Sequence, residues 1–383
     1  MSSPVSPSYQ GIKVNVITGF LGAGKTTLIK HLLTQVPVGE NWAVLVNEFG
    51  EIGLDQDLIE AGPLLGDSAA SKARLDNIVV KQVAGGCVCC TTSASFQVAL
   101  NQLIKAHNPD RILIEPTGLG HPKNILKQLQ TSYYQQVLLL EKTLCLLDAR
   151  VLHDTRYTQH LKFLQQIAIA DTLIVSKTEL YENKDFLALA DFVNKQIPAE
   201  KPLIKIKQGE LSVEHLYLSR IETKQARPSS SSEQLASQLL RPEHGQAALS
   251  SKKSGLDLDA GVKVGAVSAE EIVADFKVNY IGEEVNLAWR FEKISRFDRD
   301  KLACCAKEIA SLAGFLRLKG VFQIDEKHTL TLNVTPYDYQ AQCIDLSAGG
   351  AKVEVIFEAQ HFCDDMLTSF KGMFDSSMTK SRL

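Results

Sequence analysis

Gly19, Phe20, Leu21, Gly22, Ala23, Gly24, Lys25, Thr26 and Thr27 stand in the order G-x-x-x-x-G-K-[ST]. Glycine backbone at these places lets successive amide N–H groups curl around a pyrophosphate at a helix N-terminus, where unpaired amides and the helix dipole favour negative charge. In that setting Lys25 reaches the β- and γ-phosphates, and the Thr26 hydroxyl is a ligand for Mg²⁺. A glycine-rich turn before an ordinary helix could match the same letters by chance. The surroundings argue for the phosphate loop: a β-branched apolar run over residues 12–18 leads into it, and a helical pattern over 28–33 follows.

Four further stretches carry chemistry. A second apolar run, 42–46, opens into a glycine-containing loop with carboxylates at Glu48, Glu51 and Asp55, which could reach Mg²⁺, an attacking water or a second metal, or could be a solvated acidic loop. A third, 78–83, ends in Gly85, Gly86, Cys87, Val88, Cys89 and Cys90. Thiolates at i, i+2 and i+3 can converge on one Zn²⁺ or Cu⁺ and leave a fourth position open, as transfer or sensing requires; buried free cysteines or a redox pair are the other readings. A fourth run, 111–114, ends in Glu115, Pro116, Thr117 and Gly118, an acidic residue placed for Mg²⁺ and a glycine whose amide could meet the γ-phosphate. A further run, 172–175, ends in Ser176, Lys177, Thr178 and Glu179. GTPases commonly carry Asn-Lys-x-Asp there, with the carboxylate accepting from guanine; Ser176 and Glu179 weaken that reading, although a glutamate still offers two acceptor oxygens.

The elements that must hold these residues alternate. Short β-rich runs and longer helical patterns over residues 11–221 predict an α/β P-loop NTPase, a mainly parallel sheet with helices on both faces and ligand loops at the carboxyl ends of its strands. Residues 1–10 read as a loose Ser- and Pro-rich tail without an apolar signal core, and 222–261 as a flexible linker or insertion. From 262 to 383 β-like runs return at 274–280, 285–291, 320–324, 329–334 and 353–357, with helical spacing at 299–313 and 362–374, which predicts a smaller α+β domain.

A chain of 383 residues with 45% hydrophobic composition can bury a sizeable core. Its net charge of −3 makes neither nucleic acid nor an anionic membrane an expected partner, and no run approaches the roughly 20 apolar residues of a membrane span. The eight cysteines, three of them within residues 87–90, do not form the pattern of a secreted disulfide framework, so a cytoplasmic protein with reduced thiols is the expectation.

Together, the phosphate loop, the acidic loop, Gly86-Cys87-Val88-Cys89-Cys90, Glu115-Pro116-Thr117-Gly118 and Ser176-Lys177-Thr178-Glu179 resemble the CobW-like P-loop GTPases, relatives of the urease and hydrogenase nickel-insertion GTPases. The resemblance continues past the linker, where Arg317, Lys319 and Gly320 look like the Arg-x-Lys-Gly element of that family's C-terminal domain. It implies a GTP/GDP-dependent metallochaperone or insertase for zinc, with cobalt or iron possible, acting on a client metalloprotein as a monomer or homodimer. The implied site residues are Gly19, Gly22, Gly24, Lys25, Thr26, Thr27, Gly118, Ser176, Lys177 and Glu179 for nucleotide and Mg²⁺. Cys87, Cys89 and Cys90, with Glu51, are those for the transition metal; Asp55 of the acidic loop is a further carboxylate able to reach a metal, and Lys25 with Glu48 or Glu115 serves hydrolysis. Two rival functions are a nucleotide-binding metal sensor or buffer without directional transfer, and a small-molecule phosphotransferase, which would leave the three cysteines unexplained.

Overall fold

A computed structural model describes residues 9, 11–46, 77–83, 93–119, 122–217, 273–291, 295–345 and 351–379. Glu48, Glu51, Asp55, Cys87, Cys89, Cys90 and the 222–261 stretch lie outside the described residues.

The first sheet contains β1 (Ile12–Gly19), β2 (Trp42–Val46), β3 (Ile78–Gln82), β4 (Arg111–Glu115), β5 (Leu138–Leu147), β6 (Thr172–Val175) and β7 (Leu203–Lys205) in the spatial order β3-β2-β4-β1-β5-β6-β7, and every pairing is parallel. Its strands are apolar on both faces because helices cover both. On one face Val14, Val16, Leu45 and Ile114 pack with Phe96, Leu100 and Leu103 of α2 (Ser93–His107) and with Ile125 of α3 (Pro122–Leu129). On the other, Ile17, Val44, Leu113 and Leu146 pack with Leu28, Ile29 and Leu32 of α1 (Lys25–Leu33). Between β4 and β7 the chain also forms α4 (Ser132–Gln135), α5 (Thr155–Thr158), α6 (Leu161–Ile169) and α7 (Asn183–Gln196).

The second sheet is antiparallel, in the order β12-β11-β10-β13-β9-β8, from β8 (Val273–Ile281), β9 (Glu284–Phe291), β10 (Phe315–Gln323), β11 (His328–Thr335), β12 (Asp338–Asp345) and β13 (Ala351–Glu358). Alternation sends Leu287, Trp289, Leu318, Phe322, Leu332 and Val355 toward α8 (Arg299–Ala310) and α9 (Asp364–Ser376), whose Leu302, Ile309, Phe370 and Phe374 complete that core. The opposite face is seated on the first unit. Leu316 and Ile356 share a buried cluster with Phe20, Leu21 and Tyr157, and the Tyr337 hydroxyl donates to Asp154 Oδ2 at 2.9 Å. At the same junction the buried Glu284 accepts from His160 Nε2 at 2.9 Å and Lys162 Nζ at 2.5 Å.

Three differences from the sequence reading have physical causes. β7 is only three residues long and lacks a period to detect. β12 is an edge strand whose residues are mostly polar and exposed, so it shows no apolar alternation. β5 begins at Leu138, but only its second half, from Thr143, reads as an apolar run, since the first half carries Glu141 and Lys142.

Candidate nucleotide site

The phosphate loop joins β1 to α1, and its glycines adopt the conformations the curl demands. Gly19, Gly22 and Gly24 have φ of 146°, 74° and 93°, and Gly24 is the residue before the first helical turn. Crowding reinforces the requirement at Gly22, where a Cβ would lie 2.7 Å from Thr335 Cγ2 of β11. Lys25 opens α1 and turns its Nζ back over the loop, donating to the carbonyls of Gly19 at 2.9 Å and Phe20 at 3.2 Å. Burial pushes the Lys25 ammonium down to about 8. Glu115 pulls it upward, while Arg317 and Lys319 push it further down.

Glu115 ends β4 and is buried, and its Oε1 accepts from the Thr26 hydroxyl at 3.2 Å. The Thr117 hydroxyl, buried on the same wall, has no hydrogen-bond partner among the described residues. Hydroxyl and carboxylate oxygens gathered beside a phosphate loop are the hard donor set that suits Mg²⁺, so the residues present fit that ion. Gly118 is packed against the loop so closely that a Cβ would meet Leu21 Cδ2 at 2.7 Å and the Leu21 amide nitrogen at 3.1 Å, while Gln166 Nε2 donates to its carbonyl at 2.9 Å.

The β6 end forms the other side. Ser176 is buried and its hydroxyl donates to the Ala23 carbonyl at 2.8 Å, so this residue positions the phosphate loop. Lys177, at φ 58°, lies over Gly24, with Nζ 2.6 Å from Asp338 Oδ2 and 3.8 Å from Asp148 Oδ2. The exposed Glu179 accepts from the Gln208 amide at 3.2 Å. That contact brings in a turn the sequence reading missed, in which Gly209, at φ 80°, sits 3.0–3.1 Å, measured from a would-be Cβ, from Thr27.

One cleft gathers Gly22, Gly24, Lys25, Thr26, Thr27, Glu115, Gly118 and Lys177 from the first sheet, and Arg317, Asn333, Gln340 and Glu354 from the second. Gly19, Ser176 and Glu179 stand behind or beside it. β2 and β3 end next to this cleft, because Val46 pairs with both Gln82 and Glu115. The remaining described cysteines divide: Cys145 and Cys305 are buried, as expected of core residues, whereas Cys304, Cys343 and Cys363 are exposed. Among the described residues there is no cluster of His, Cys, Asp and Glu able to hold a metal, and no helix long and apolar enough to cross a membrane.

Residues 13–205, half of the chain, match the family model described as CobW/HypB/UreG, nucleotide-binding domain. The chain belongs to the CobW/HypB/UreG family. Its curated relatives include the zinc chaperone YeiR of Escherichia coli K12, 47% identical over 167 residues, which are 44% of this chain and 47% of the relative. The zinc chaperone YjiA of the same organism is 33% identical over 217 residues, 54% of this chain and 61% of the relative. The zinc chaperone CobW of a Sinorhizobium species is 28% identical over 223 residues, 52% and 60% of the two chains. This CobW-family chain thus spans about half to three-fifths of the length of these relatives. The crystal structure of Zn(II)-bound YjiA GTPase from E. coli, 19% identical, aligns over 97% of this chain and 100% of its own with a TM-score of 0.38.

Proposed function

We propose that this protein is a GTP-hydrolysing metallochaperone that takes zinc, or a similar transition metal, at Cys87, Cys89 and Cys90 and passes it to a client metalloprotein under nucleotide control. The observation that supports the reading is the nearness of the phosphate cleft to the end of the strand that the cysteine-bearing stretch follows in sequence: Gln82 at the end of β3 and Glu115 of the cleft both pair with Val46. The names of the relatives, zinc chaperones, support the choice of cargo.

The chain's own residues divide the work. Backbone amides of residues 19–27 cradle the β-phosphate, and Lys25 leaves the Gly19 and Phe20 carbonyls to meet the β- and γ-phosphates. Lys177 and Glu179 border the base, with the Glu179 carboxylate accepting from guanine in place of the Gln208 amide. Glu115 or Glu48 orients the attacking water. Mg²⁺, when held by Thr26, neutralises charge developing on the phosphates. Gly118 senses the γ-phosphate through its amide, and its tight packing on Leu21 couples that contact to the loop. Cys87, Cys89 and Cys90 hold the cargo as thiolates, with Glu51 as a further oxygen ligand; thiolate softness selects zinc-like ions over Mg²⁺.

The cargo site has a direct test. Replacing Cys87, Cys89 and Cys90 together by Ser is expected to abolish tight one-to-one zinc binding in an anaerobic competition titration, while fluorescent-nucleotide affinity stays within about twofold of wild type. Persistent stoichiometric zinc in that variant contradicts the assignment.

A further inference from the structure

The phosphate cleft is walled on one side by the second sheet, and the wall carries a cation. Arg317 lies on β10 just after the irregularity at which its pairing with β13 shifts, between Phe315 and Arg317. It is half-buried and shares the cleft with Lys25, Thr26, Glu115 and Gly118. Its Nε donates to Asn333 Oδ1 at 3.1 Å on the neighbouring strand β11, which fixes the plane of the guanidinium. The sheet that bears it is held close to the phosphate loop on two sides. Thr335 is in contact with Gly22, and Asp338 pairs with Lys177 at 2.6 Å. Lys319 follows on the same face, buried; across it on β13 stands Glu354, whose Oε1 accepts from Asn286 Nδ2 at 2.6 Å.

The charge arrangement suits a polyanion. Arg317 opposes the protonated form of Lys25, and Lys25, Lys177 and Arg317 all line the cleft, with Glu115 and Glu354 as its carboxylates. A guanidinium presents planar paired donors that match phosphate oxygens, and it stays charged at any working pH.

We propose that Arg317 is a catalytic residue contributed by the second sheet, binding the terminal phosphate oxygens of the nucleotide seated on the phosphate loop, with Asn333 as its positioning residue. The assignment rests on the nucleotide reading given above. It makes the C-terminal sheet part of the GTPase site: a guanidinium on the γ-phosphate stabilises charge that grows in the transition state, and it distinguishes GTP from GDP. It also means that any partner displacing the second sheet withdraws a cation from the site.

The test uses the full chain, measuring phosphate release and competition of GTP and GDP against a fluorescent nucleotide, with thermal unfolding as the check on folding. Arg317→Ala is expected to lower kcat/KM for GTP at least tenfold while GDP affinity stays within about threefold of wild type and the unfolding temperature is unchanged. Arg317→Lys keeps the charge but loses the fork and is expected to recover part of the loss, and Asn333→Ala to lower turnover by a smaller factor. Should the alanine variant fold poorly, the lysine variant alone decides, through the same split between GTP turnover and GDP affinity. A folded Arg317→Ala protein with wild-type turnover overturns the assignment, as does an equal loss for GTP and GDP accompanied by a lower unfolding temperature. If the wild-type chain neither binds nor hydrolyses GTP, the nucleotide reading itself fails, and the role of Arg317 with it.

Discussion

Lys25→Ala is expected to lower kcat/KM for GTP by at least about 100-fold, the scale of removing one preorganised donor from a site of developing charge. The lysine is buried, begins α1 and, among the described residues, is tethered to the carbonyls of its own loop at 2.9 and 3.2 Å, so substrate phosphates can recruit it by a short swing. Its loss removes two modest hydrogen bonds from the fold, about 1 kcal/mol each, and leaves the cores intact. The variant therefore stays folded, and phosphate-release kinetics alongside urea denaturation separate the two effects; turnover within threefold of wild type contradicts the role. The same residue sets a pH window. In the free protein its ammonium titrates near 8, held down by burial against the pull of Glu115, and bound phosphates raise that value. Binding therefore favours the protonated lysine: nucleotide affinity is level below pH 8 and falls as pH rises above it, with proton uptake on binding in that range.

The second large effect is on stability. Glu284→Ala is expected to cost about 3–5 kcal/mol, because it removes one member of a buried charge cluster and leaves Lys162 without its carboxylate. His160 and Lys162 come from the first unit and Glu284 from the second sheet, so the loss falls on the junction that holds Arg317 over the phosphate loop. Burial alone would raise the Glu284 pKa, but the hydrogen bonds from His160 and Lys162 outweigh it and hold the carboxyl below its ordinary value. A depressed carboxyl contributes stability that is fully present above its unfolded pKa and is lost as pH falls through the folded one. Acid should thus loosen the junction in wild type, and the alanine variant should lack that part of the acid response. Urea denaturation at neutral and acidic pH measures both; a cost below about 1 kcal/mol contradicts the account.

What could be read from the chain follows the range of the signals. The phosphate loop, the strand before it and the helix after it are contiguous, and β2 and β6 fell where the apolar runs placed them. Glu115 and Lys177 were legible because each ends such a run. Gln208 and Gly209 were not, since β7 is too short to announce the turn that follows it. Arg317 was visible only as part of a family element, and its approach to Lys25 depends on how a second sheet docks, which no local pattern encodes. Ser176 was read as a nucleotide residue, yet its hydroxyl is directed at Ala23 of the phosphate loop, a contact between residues far apart in the chain.

The proposed metallochaperone requires that nucleotide state govern metal affinity. An anaerobic zinc competition titration of the reduced full chain, run without nucleotide, with GDP and with a nonhydrolysable GTP analogue, Mg²⁺ present throughout, tests it most directly. The account predicts one zinc per chain and an affinity that differs at least several-fold between GDP and the analogue; a tenfold difference corresponds to about 1.4 kcal/mol of coupling. Equal affinity in all three states contradicts nucleotide control and leaves a metal sensor or buffer in its place.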